Sequence, residues 1–202
     1  MNETSKVILV DEDDVETGIM DKMEAHSRGL LHRAFSVFIV NREGNMLLHE
    51  RAGGKYHSAG LWTNACCSHP MPGEGIKAAA ERRLQEEMGF SCELQQIDSL
   101  KYFVKFDNGL IEYEYDHLLL GLYDGPILAD PDEVKDFRFV DINGIDRLLK
   151  EDCEQFTFWF RLAFPLVKSH LQVSQKRPVN VLHESESIKT AENALNKSTH
   201  TH

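Results

Sequence analysis

No stretch of the 202-residue chain approaches the roughly 18 consecutive apolar residues of a membrane-spanning helix. Its opening, MNETSKVILVDEDD, has neither the basic start nor the apolar core of roughly 7–15 residues that marks a secretory signal, so a cytoplasmic location is the expectation. Positive charge is scarce as well. Against 33 Asp and Glu stand 22 Lys and Arg, a formal net charge of -11. Such a field disfavours nucleic acid and anionic membranes as partners, and an anionic small molecule would need a local basic pocket or a metal. Cysteine is sparse: Cys66, Cys67, Cys92 and Cys153 are too few and too irregularly placed for a disulfide framework, so reduced thiols are expected. No internal repeat is visible, which excludes a solenoid or propeller.

What is present is an ordinary globular composition, 42% hydrophobic and 27% charged. The length suits one domain with a real core. Residues 33–40 (RAFSVFIV) and 45–49 (NMLLH) are rich in strand formers and joined by turn chemistry, predicting a β-hairpin. Residues 74–88 carry Ile76, Ala79, Ala80, Leu84 and Met88 at helical spacing, with Gly89 as a C-cap. Residues 94–106 and 110–122 flank Asp107-Asn108-Gly109 and predict a second hairpin, followed by a strand at 137–140 and helices at 145–150 and 156–171. From Ser174 onward the chain is polar and reads as a mobile or weakly helical tail without chemistry. The fold class is α/β (α+β), a mixed sheet packed between helices.

Three patterns bear on chemistry. Residues 61–70 (LWTNACCSHP) set Cys67 two positions from His69, so in an extended segment both side chains face one side. Taken alone, Cys67 reads first as a small buried apolar residue and His69 as a surface histidine. Residues 112–116 (EYEYD) place Glu112, Glu114 and Asp116 on one strand face, which is either solvated or occupied by a cation. His26 and His32 flank SRGLL; singly they are surface or cap residues. Together with His69 and two glutamates they form a set suited to a divalent ion such as Mn²⁺ or Zn²⁺.

The segment from Ser68 through Glu74 to Arg82-Arg83-Leu84-Gln85-Glu86-Glu87-Met88-Gly89-Phe90 resembles the Nudix box, a glycine, a glutamate and the run R-E-U-x-E-E-x-G-U with U a bulky aliphatic. Ser68 replaces the first glycine. Arg83 replaces a glutamate that Nudix hydrolases use to bind magnesium, which puts hydrolysis in doubt. With Trp62-Thr63-Asn64, Cys67, His69-Pro70 and Glu112-Tyr113-Glu114 in order, residues 7–166 resemble the type I isopentenyl-diphosphate isomerases of the Nudix superfamily.

That resemblance implies an N-terminal extension at 1–30 that contributes to the active site, a Nudix-type catalytic domain at 31–171 and a polar tail at 172–202. It implies a divalent metal (Mn²⁺, Zn²⁺ or Mg²⁺) held by His26, His32, His69, Glu112 and Glu114. Glu87 matches a ligand of a second Mg²⁺ that travels with the substrate diphosphate, and Cys67 is counted beside the metal ligands. Cys67 and Glu114 are implied as the acid/base pair, Tyr102 as the phenol beside the proton donor and Trp159 as the ring over a carbocation. Lys22, Arg51, Lys55 and Arg83 match diphosphate contacts. The expected roles are Glu114 with Tyr102 as donor and Cys67 as thiolate acceptor, its pKa lowered by nearby cations. A Nudix diphosphate hydrolase and a structural-zinc domain are the alternatives. No nucleic acid or membrane partner is expected.

Overall fold

The computed structural model describes residues 5–176. Contacts divide the chain into two units, Met1–Ser169, which carries the strands and the site, and His170–His202, whose described residues continue the last helix. In chain order the elements are β1 (Lys6–Val10), β2 (Glu16–Asp21), α1 (Lys22–Arg28), β3 (His32–Val40), β4 (Asn45–Arg51), β5 (Trp62–Thr63), β6 (Cys66–Ser68), α2 (Ile76–Met88), β7 (Leu94–Lys105), β8 (Ile111–Leu122), β9 (Val134–Asp141), α3 (Ile142–Glu151) and α4 (Phe158–Lys176). The final helix runs past the expected end at 171, and the rest of the expected tail, residues 177–202, lies outside the described residues. Among the described residues no helix is long and apolar enough to cross a membrane.

Strand β3 is the hub. It runs parallel to β8 from His32↔Glu114 to Val40↔Leu122 and antiparallel to β6 at Phe35↔Ser68, Ser36↔Cys67 and Val37↔Cys66. Because β6 and β8 both engage the middle of β3, they occupy its two opposite edges. A strand covered on both faces has no polar side to show, which is why β3 reads as a near-continuous apolar run. Phe35, Val37 and Ile39 enter one core with Ala79, Ala80, Leu84 and Met88 of α2. On the other face Phe38 stacks on Phe160 of α4, ring centroids 6.2 Å apart. Each such fully buried side chain contributes roughly 1.5–3 kcal/mol.

The first predicted hairpin turns as expected at Gly44 but pairs only at Val40↔Met46. Beyond that point β3 goes to β6 and β8, whereas β4 pairs with β9 from Asn45↔Asp141 to Arg51↔Val134. The second hairpin forms along its whole length, Leu94↔Gly121 to Lys105↔Ile111. Helix α2 stops at Gly89, whose φ of 74° and approach to Leu128 both demand glycine, since a Cβ there would lie 2.3 Å from the Leu128 carbonyl oxygen.

The elements before β3 serve the site. Asp21 caps α1 by accepting from the amides of Met23 and Glu24 at 2.9 and 3.2 Å, and Gly29 ends it in the left-handed region. This one short helix buries Ala25 and His26. The β1–β2 turn is clasped to the sheet through Asp14, a non-glycine at φ 62° held by Arg33 Nε at 2.7 Å and by His117 Nε2 at 3.0 Å. Such a conformation persists only where its surroundings over-determine it.

Candidate active site

His26 from α1, His32 at the start of β3, His69 just after β6 and Glu114 from β8 meet with one ligand atom each, all within 4.8 Å of one another. The tautomers of two histidines follow from their partners. His26 Nδ1 donates to the Ile111 carbonyl at 3.1 Å and His32 Nδ1 to the Leu30 carbonyl at 2.8 Å, because a carbonyl oxygen only accepts. The Nε2 of each is buried and without a hydrogen-bond partner. Burial also lowers His26 to about 4 and His69 to about 3. Orphaned imidazole nitrogens around a carboxylate are costly unless a cation takes them, and this donor set fits a divalent metal.

Glu112, Glu114 and Asp116 do share a face, and it is buried: their exposures are 4%, 6% and 1%. A solvated face is therefore excluded, and each carboxyl needs a partner of its own. Burial pushes Glu114 upward, but His32 and His69 outweigh it and hold the group ionised, well below the usual carboxylate range. His69 Nε2 lies 2.9 Å from Glu114 Oε1, and the Tyr102 hydroxyl donates to Oε2 at 2.6 Å. The resemblance implied Glu112 as a fifth ligand. The four-residue cluster does not include it: Glu112 Oε1 lies 2.7 Å from His57 Nε2, and Oε2 lies 3.1 Å from the Tyr102 hydroxyl oxygen. Burial, reinforced by Glu114, raises Glu112.

Cys67 faces the same cavity as His69, as expected of an extended segment. Its sulfur lies 3.1 Å from Asn64 Oδ1 and 3.5 Å from Ser36 Oγ, and accepts from Trp159 Nε1 at 3.0 Å; it stands apart from the four-donor cluster. The expected thiolate is reversed. Burial, with the Asp116 carboxyl behind Ser36, pushes Cys67 up to about 12, and Arg51, the cation acting in the other direction, is outweighed. These surroundings favour the uncharged thiol.

Of the four expected diphosphate contacts, Lys22, Arg51 and Lys55 line the cavity. Arg83 lies outside it, bound to Glu87 at 2.5 Å and to Glu133 at 3.4 Å, and Glu133 pairs in turn with Lys55. Glu87 is thus a buried carboxylate held by the arginine that replaced its Nudix partner. Glu74 has a structural occupation: Arg82 donates to both of its oxygens at 2.8 Å. Trp159 stands in the cavity wall with the Arg51 guanidinium 5.2 Å from its ring centre. His57 carries no signal in the sequence. It fills the wall beside Glu112, stacked on Phe106 at 4.4 Å, and neither periodicity nor spacing marks it. Asn64, Ser36 and Asp116 also gained no role from sequence.

The fold and the helix bearing the altered box define a class: a NUDIX domain model matches residues 30–160. The MutT protein from Methanosarcina mazei Go1 has the same fold, with a TM-score of 0.57 at 17% identity over 73% of this chain and 96% of that one. Closer in sequence, the isopentenyl-diphosphate Delta-isomerase of Pectobacterium atrosepticum is 47% identical over 168 residues, 83% of this chain and 94% of that protein. The enzyme of the same name from Serratia proteamaculans is 51% identical over 154 residues, 76% and 86% of the two chains. The chain belongs to the isopentenyl-diphosphate Delta-isomerase family.

Proposed function

We propose that the chain interconverts isopentenyl and dimethylallyl diphosphate in the cavity between β6 and β8. One observation carries this reading: the Cys67 sulfur and the Glu114 carboxyl, the latter hydrogen-bonded by Tyr102, reach a single cavity from strands on opposite edges of β3.

The chemistry adds a proton to the terminal alkene carbon, giving a tertiary carbocation, and removes a different proton from the second carbon. Neither carbon is acidic or basic by itself. The site must therefore supply one proton donor, one acceptor and an enclosure that keeps water from the cation. Cys67 and the Glu114–Tyr102 pair are the two exchanging groups, and in the reverse direction each takes the other's part. Two titratable groups pushed to opposite protonation states by their surroundings suit this work. The Trp159 ring lies where the cation forms, an interaction worth about 2 kcal/mol when desolvated.

Lys22, Arg51 and Lys55 hold the diphosphate, a local basic cluster within an acidic protein; net charge elsewhere is screened over roughly 8–10 Å. Arg83 joins them when Glu133 gives way to the substrate anion. His26, His32, His69 and Glu114 would hold Mn²⁺, Zn²⁺ or Mg²⁺ with Glu112 completing the set, and Glu87 would serve an Mg²⁺ that arrives with the diphosphate. A metal at the histidine site supplies positive charge that makes neighbouring protons easier to lose. A thiol that must stay reduced suits the cytoplasm.

Purified protein given isopentenyl diphosphate and a divalent metal should form the allylic isomer and release no phosphate. Phosphate without isomer would establish a hydrolase instead.

A further inference from the structure

Asn64 is buried beneath Cys67, and its amide can face only one way. Its Nδ2 lies 3.0 Å from the Val37 carbonyl and 2.9 Å from the Cys66 carbonyl. Carbonyls only accept, so the nitrogen must be the atom that faces them; turning the amide over would set oxygen against oxygen twice. Oδ1 is thereby fixed toward Cys67 Sγ at 3.1 Å and Thr63 Oγ1 at 3.0 Å. An amide oxygen has no proton to give. Ser36, the sulfur's other oxygen neighbour, donates its proton to Asp116 Oδ2 at 2.8 Å and also offers the sulfur only lone pairs. The indole N–H of Trp159, 3.0 Å away, is the donor that the sulfur receives.

We propose that Asn64 is the positioning residue of Cys67: two backbone carbonyls fix its amide, and the fixed oxygen holds the thiol proton at the edge of the cavity. Trp159 fixes the sulfur itself, so the direction of the S–H bond is set by the backbone of β3 and β6. The Thr63 hydroxyl takes the second lone pair of Oδ1, which weakens the hold on the thiol and lets the S–H turn toward an alkene in the cavity. Thr63 is steadied in turn by the Thr157 hydroxyl at 2.9 Å, just before α4 begins. The inference rests on the reading that Cys67 exchanges a proton with the substrate.

The test is the infrared S–H stretch of Cys67 in the resting full-length protein, isolated by difference against Cys67→Ala. The wild-type band should lie at the lowered frequency of a hydrogen-bonded thiol. Asn64→Ala should raise it and reduce kcat about tenfold, the worth of one hydrogen bond, with KM unchanged. If Asn64→Ala does not fold, Thr63→Val decides the matter: it leaves Oδ1 to Cys67 alone and should lower the band further. Absence of a Cys67 S–H band in wild type, or a band unmoved in every folded variant, overturns the proposal. A protein that shows the expected shifts yet makes no isomer refutes the reading of the function and leaves the role of Asn64 standing.

Discussion

Cys67, half-buried, and Glu114, buried, line one cavity and are driven to opposite states. Burial favours the neutral form of each. Around Glu114 two histidines and the Tyr102 hydroxyl overcome that preference and keep a carboxylate. Around Cys67 the Asp116 carboxyl adds to burial, and together they outweigh Ser36, Asn64 and Arg51 and favour a thiol. The contrast teaches that the neighbours, rather than the depth of the cavity, divide donor from acceptor.

Removing either member breaks the comparison outright. Cys67→Ala and Glu114→Gln should each leave a folded protein by circular dichroism while lowering kcat about a thousandfold or more. Next in size, His69→Ala removes one of the two groups that hold Glu114 ionised. Divalent metal affinity by calorimetry should fall at least about tenfold, with kcat falling alongside.

The pH behaviour sharpens the same contrast. His26 and His69 are lowered to about 4 and about 3 in the folded protein, against roughly 6.5 unfolded. Between those values the unfolded chain binds more protons, so stability falls as pH falls. The Tm of metal-free protein should therefore drop steadily from about pH 6.5 to about pH 4, and metal affinity should collapse only near the lower limit. A Tm indifferent to this range would mean that these histidines are not buried neutral. Smallest of all, Glu74→Ala breaks the paired bonds to Arg82 on a partly exposed surface. It should cost about 1 kcal/mol in denaturant unfolding and leave kcat unchanged.

Much of the architecture was legible because periodicity carries it. The α2 stripe ending at Gly89 and the full β7–β8 hairpin stand where the pattern put them. The first hairpin was legible only at its turn, since a strand buried on both faces and paired on both edges has neighbours that no local pattern announces. Helix α1 was illegible because it has no apolar stripe; its cap at Asp21 and the burial of Ala25 and His26 hold it.

In the site, the alternation of Glu112, Glu114 and Asp116 gave a shared face, yet only burial could exclude solvent there. The expected thiolate failed because burial and the Asp116 carboxyl outweigh the nearby cation Arg51, and the depth at which a sulfur lies is not written in the segment around it. His57 and Asn64 sit in loops and meet partners on strands far away in sequence, Glu112 and Val37.

The most direct test of the divided pair is to run the isomerisation in D₂O with the wild-type protein and locate the label. Deuterium at the methyl carbon that was the alkene terminus, with phosphate retained, is the predicted result. An allylic product free of deuterium when the reaction is sampled early and late, or phosphate release in its place, would contradict it.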